Sequence, residues 1–94
     1  MTDVDLFERR FAKPSDVMVQ ELAGEAVLLH LGRGYYYGLN AVGCAVWNKL
    51  MAGVPVRQAF EHLLAEFDVT PDQLRQDVTA LLHDLLSHGL LQDA

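Results

Sequence analysis

Few residues of this 94-residue chain could do chemistry: one cysteine, four histidines, three tyrosines in a row and scattered carboxylates. Cys44 lies beside an apolar helical stripe with no histidine close in sequence, which reads as a small buried hydrophobe rather than a nucleophile. His83 and His88 are five apart and so point to different sides of a helix. Asp84 and His88 share a face at four-residue spacing. One carboxylate with one imidazole falls far short of a closed metal site. A solvated last turn, with His88 favourably near the helix dipole, accounts for them. His30 in a strand and His62 on a helix have no ligand company. Gly32-Arg33-Gly34 joins strand to strand, whereas a phosphate-binding loop opens a helix. The residues therefore predict no metal, no cofactor and no catalytic group.

The run Tyr35-Tyr36-Tyr37 followed by Gly38 is different. If Leu39 faces the core, the period of two puts Tyr35 and Tyr37 on its face and Tyr36 on the other. The simple account makes Tyr35 and Tyr37 half-buried sheet residues. The functional one makes their strand a sheet edge. An edge is a row of unpaired backbone groups, hazardous unless covered or used. Gln20 and Glu21 soften the first strand, but nothing charged protects the third, which suggests that it accepts a partner peptide by strand addition.

The elements that would position these residues follow from the chain's patterning. Residues 1–15 are polar and of mixed charge, and read as a mobile arm pinned by Phe7 and Phe11. Residues 16–94 form the domain. Val17 to Leu22 is a strand ending at the turn signal Ala23-Gly24. Glu25 to Leu31 is apolar at nearly every position, so it is expected to be central and largely covered. Gly32-Arg33-Gly34 suits a tight hairpin into Tyr35 to Leu39. Connections this short make an antiparallel meander.

The remainder is helical. Asn40 is an N-cap, and Val42, Val46, Trp47 and Leu50 recur at helical spacing until Gly53. Pro55 fits the first turn of the next helix, whose stripe is Val56, Ala59, Phe60, Leu63, Leu64 and Phe67. Thr70-Pro71-Asp72-Gln73 starts the last helix with a capping-box pattern, and Gly89 ends it. Leu90 and Leu91 then fold back or make a short strand. The sum is βββααα, a winged-helix-like α+β domain with a three-stranded antiparallel sheet followed by three helices.

About half the side chains are hydrophobic, which fits one folded domain. A single cysteine allows no internal disulfide, the start MTDVDLFERRF has no apolar signal core, and no run spans a bilayer. The expectation is a soluble cytoplasmic protein. Net charge is −6. From Phe60 onward Arg75 is the only Lys or Arg, against seven acids including Asp77, Asp84 and Asp93. A helical half of this charge cannot neutralise phosphates, so a DNA-binding winged helix is the disfavoured alternative.

The stretch Leu28 to Asn40, with Val46-Trp47, Leu50 and Gly53, resembles the PqqD-like family. So does the tail of Phe67, Val69, Asp77-Val78, Leu81-Leu82, Leu85 and Gly89-Leu90-Leu91. The likeness covers about residues 16–92. It implies a recognition element for ribosomally made, post-translationally modified peptides, in which a precursor leader adds beside the third strand and lies against the last helix. By position, the groove would use Tyr35, Tyr36, Tyr37 and Gly38 of the strand and Asp77, Leu81 and Asp84 of the helix. The acids would meet basic leader residues, and an apolar anchor would sit beside Leu81.

The pyrroloquinoline quinone branch would carry a Pro-Glu pair where this chain has Gly32-Arg33-Gly34. The Gly-Tyr-Tyr and Leu-Asn phrasing is closer to the stand-alone recognition proteins of lasso-peptide clusters, which work with a leader peptidase and a cyclase. The alternative is a peptide chaperone for a radical SAM enzyme of quinone synthesis. Free edges allow a monomer or a strand-swapped dimer.

Overall fold

The computed structural model describes residues 3–94. In chain order the elements are α1 (Asp3–Glu8), β1 (Phe11–Ala12), β2 (Val17–Leu22), β3 (Glu25–His30), β4 (Tyr35–Leu39), α2 (Ala41–Met51), α3 (Val56–Glu66), α4 (Pro71–Ser87) and β5 (Gln92–Asp93). The expected three strands and three helices are β2 to β4 and α2 to α4, an α+β arrangement to which the termini add a helix and a two-stranded pair.

The central sheet has the order β2-β3-β4, all antiparallel. Ala23 and Gly24 both take positive φ, the geometry of a tight two-residue hairpin. At the second hairpin only Gly34 of the two glycines has positive φ, and its N–H bonds the His30 carbonyl at 2.8 Å.

One expectation fails at the middle strand. The Glu25 to Leu31 run suggested a strand covered on nearly all sides, but β3 alternates, with Ala26, Leu28 and His30 buried and Val27 and Leu29 exposed. The helices supply a layer on one face only. The other face therefore shows an apolar row in register, Met18–Leu29–Tyr36. Met18 is 53% exposed, Leu22 80%, Leu31 61% and Tyr36 73%. Leu31 lies in the turn, past the end of β3.

The helix signals were accurate. The Asn40 side chain accepts from the Gly43 N–H at 2.8 Å, and Thr70 Oγ1 accepts from the Gln73 N–H at 3.2 Å. Pro55 sits one place earlier than expected, as the N-cap of α3. The Gln73 amide does not reach back to the cap, as a capping box would have it, but donates to Asp77 Oδ1 at 2.9 Å. Gly89 takes positive φ after α4, and the Leu90 N–H closes on the Leu85 carbonyl at 2.8 Å, a Schellman ending. Trp47, Leu28, Leu50, Leu63, Leu74, Leu82 and Leu85 fill the core between sheet and helices.

The stretch read as an arm is folded over its described part, and residues 1 and 2 lie outside the described residues. The expected pins Phe7 and Phe11 are buried, with Leu6. Phe7 meets Phe60 edge-to-face at 5.6 Å, and the Arg75 guanidinium lies 4.5 Å from the Phe7 ring. β1 pairs with β5 in the register Phe11↔Asp93, reinforced by an Arg9–Asp93 ion pair at 2.6 Å. Leu90 and Leu91 are buried and lead into that strand, so the tail folds back and then pairs. Three apolar residues, Leu6, Phe7 and Phe11, are too few to show a helical or strand period beside the surrounding charge.

Candidate functional site

Among the described residues β4 pairs with β3 alone, leaving its other edge toward α4. Strand alternation falls as the period of two requires: Tyr35 and Tyr37 are half-buried on the helix side with Leu39, while Tyr36 and Gly38 are exposed on the other. The Tyr35 hydroxyl donates to the His88 carbonyl, and the Tyr37 hydroxyl to the Asp84 carboxylate. The His88 ring packs 5.8 Å from each of these tyrosine rings. His30 stacks on Tyr35 at 5.5 Å from within the sheet, and its Nδ1 accepts the Arg33 N–H at 3.1 Å. Together these contacts fasten the first half of β4 to the end of α4.

Past Tyr37 the strand and helix part. A cavity of about 370 Å³ opens there, lined by Tyr37 to Asn40, by Val42, Gly43 and Val46 of α2, and by Asp77, Val78, Ala80 and Leu81 of α4. Its walls mix aliphatic side chains with polar groups from Tyr37 and Asn40, and Asp77 is the one charged residue lining it. Burial foremost, then the bond to Asp84 and that carboxylate's charge, push the Tyr37 phenol from 10.0 up to about 12. It is therefore a neutral hydrogen-bond donor across the ordinary pH range.

Of the residues read from the sequence, Tyr37, Gly38, Asp77 and Leu81 line this cavity. Asp84 stands at its closed end through Tyr37, Tyr35 is one step further along, and Tyr36 points from the opposite face. The sequence reading missed the α2 wall. Val42 and Val46 are four apart in the apolar stripe of α2, and the face they share also borders the groove.

The other reactive residues take structural places. Cys44 is buried, its thiol pushed up by burial foremost and then by Glu21, which disfavours the thiolate a nucleophile needs. His88 Nδ1 lies 2.7 Å from the Asp84 carbonyl and 3.4 Å from its carboxylate. Among the described residues no three His, Cys, Asp or Glu side chains gather as a metal site, and no helix is long and apolar enough to cross a membrane.

These features define a small α+β domain with a sheet edge set beside a groove of mixed aliphatic and polar lining. A family model for coenzyme PQQ synthesis protein D (PqqD) matches residues 25–91, and the chain belongs to this family. Among solved structures it is similar to TbiB1 in complex with the TbiA(beta) leader peptide, with 31% identity and a TM-score of 0.80 over 86% of this chain and 94% of that one. A lasso peptide synthetase B1 complexed with the leader peptide shares the fold at 23% identity, with a TM-score of 0.79 over 88% of this chain and 98% of its own. No curated protein sequence matches.

Proposed function

We propose that this domain binds the leader region of a ribosomally made precursor peptide by strand addition to β4, and presents it to a leader peptidase and cyclase of the lasso-peptide kind. The observation that carries this reading is the β4 edge lying beside the 370 Å³ groove against α4. Backbone pairing would supply sequence-tolerant affinity, and inward side chains of the added strand would fall into the groove. Leu81, Val42 and Val46 suit an aliphatic or aromatic anchor, and Asp77 a neighbouring cation. Tyr35, Tyr37 and Asp84 would hold the strand at the right distance from the helix. The domain itself makes no bonds on this reading. It raises the effective concentration of the core peptide beside the enzyme that acts on it. The TbiB1 likeness favours this reading, because that relative was solved with a leader peptide.

Proline on the edge tests the proposal. Tyr36→Pro removes an N–H and stiffens β4, while its exposed side chain contributes little to the core. Fluorescence polarisation with labelled TbiA(beta) leader should show at least about a tenfold loss, worth about 1.4 kcal/mol. Unchanged affinity in a variant with a cooperative melt would sink strand addition to β4.

A further inference from the structure

Gly38 is a glycine that nothing inside the chain demands. The positive-φ glycines are Gly24, Gly34, Gly53 and Gly89, so Gly38 has a backbone any residue can adopt. A Cβ built on it meets nothing within 4 Å. Glycine within a strand weakens it, and commonly marks a place where another chain comes close. At Gly38 the absent side chain leaves a specific space. The residue borders the groove on one face and, on the other, a second cavity of about 450 Å³ bounded by Leu22 and Val27. In register, Val27 lies directly across from Gly38, and Gln20 across from Val27. Along β4 the neighbour on that face is the exposed Tyr36. The outer face thus has an apolar floor at Val27 and an apolar wall at Tyr36, with a gap at the edge between them.

We propose that Gly38 is a receptacle for one outward-facing residue of the bound strand: a large apolar or aromatic side chain that lies across the glycine onto Val27, making this a specificity position. The inference rests on the strand-addition reading, because only a chain paired with β4 reaches this gap from the edge. Strand alternation sends every second side chain of an added strand outward, beside Tyr36 and Gly38. A bulky cross-strand neighbour covering a glycine is a recognised way of sealing a sheet edge. The class of side chain follows from the lining, in which Leu22 and Val27 present exposed apolar side chains on this face beside Gln20, Glu25 and Asn40.

The test is a parallel selection of a random-peptide display library on the wild-type domain and on Gly38→Val. Valine suits a strand and its Cβ enters open space, so the variant should melt at or above the wild-type temperature. Should it melt lower, Gly38→Ala serves the same comparison. Wild-type selection is expected to return peptides with a large apolar residue at one outward position. Their affinity should fall at least tenfold on Gly38→Val, and the same peptides with that residue cut to alanine should bind both proteins alike. Peptides that bind Gly38→Val equally well or better would overturn the receptacle while leaving strand addition intact. No peptide retained by the wild type, or peptides that still bind Tyr36→Pro at full strength, would overturn strand addition and the receptacle with it.

Discussion

The Tyr37 hydroxyl donates to the Asp84 carboxylate, tying the edge strand β4 to the last helix where the groove closes. Together with the Tyr35 bond to the His88 carbonyl, it sets how far β4 stands from α4, and so how wide the groove is beyond. The bond also explains why Asp84, which reads from sequence as a groove carboxylate for basic ligands, already has an internal partner.

Tyr37→Phe removes that bond and keeps the ring. At neutral pH the cost should be about 1 kcal/mol, the net value of a partly exposed hydrogen bond, measured by denaturant titration. The alkaline limb carries the sharper signature. The folded phenol titrates near 12 and the unfolded one near 10.0. Its contribution is complete below pH 10, where both states hold the proton. It fades as pH rises toward 12, because the unfolded state loses its proton first. Wild type should therefore lose stability more steeply than Tyr37→Phe across that window. Parallel curves would mean that neither burial nor the Asp84 bond holds the Tyr37 proton in solution.

The central fold was legible because its punctuation is local. Asn40 and Thr70 accept the cap bonds their positions announce, and Ala23-Gly24 and Gly34 turn the hairpins. Two things were not legible, each for a non-local reason. Phe7 and Phe11 read as pins, but the helix α1 and the β1–β5 pairing that hold them depend on α3 and on the C-terminal tail, tens of residues away, so no periodicity within the first fifteen residues announces them. Likewise Val27 and Leu29 look like core residues, since an apolar run does not say how many layers cover it. In the groove, β4 and α4 were found because the tyrosine run and the resemblance pointed there. The α2 wall was missed because Val42 and Val46 belong to the core and the groove at once.

Asp77 should act through charge and not through fit. It is exposed at the groove's rim and accepts from Gln73, a contact that an amide at the same place can keep through its oxygen. On the leader-binding reading, Asp77→Asn should weaken a leader carrying a nearby Lys or Arg by about threefold at low salt, the modest effect of an exposed pair. The difference should vanish as ionic strength rises and the Debye length shrinks to about 3 Å near 1 M. Polarisation titrations at several salt concentrations check this. A loss that persists undiminished at high salt would show that Asp77 shapes the groove instead.

The α2 wall gives a test that separates groove from edge. Val42 is half-buried and borders the cavity, so Val42→Phe places a ring in space an inward leader anchor would use. The larger side chain projects into a cavity and not into packed core, so stability should change by less than the roughly 1–3 kcal/mol that overpacking a filled core costs. Leader affinity should fall about tenfold, or about 1.4 kcal/mol. Leu81→Ala on the facing helix enlarges the same space and should also weaken binding, by removing apolar contact worth about 1–3 kcal/mol. A leader with its inward anchor cut to alanine should lose less on either substitution than the intact leader does. If Val42→Phe leaves the intact leader's affinity unchanged, the peptide binds along the β4 edge without entering the groove, and the contribution of α2 and α4 to recognition is ruled out.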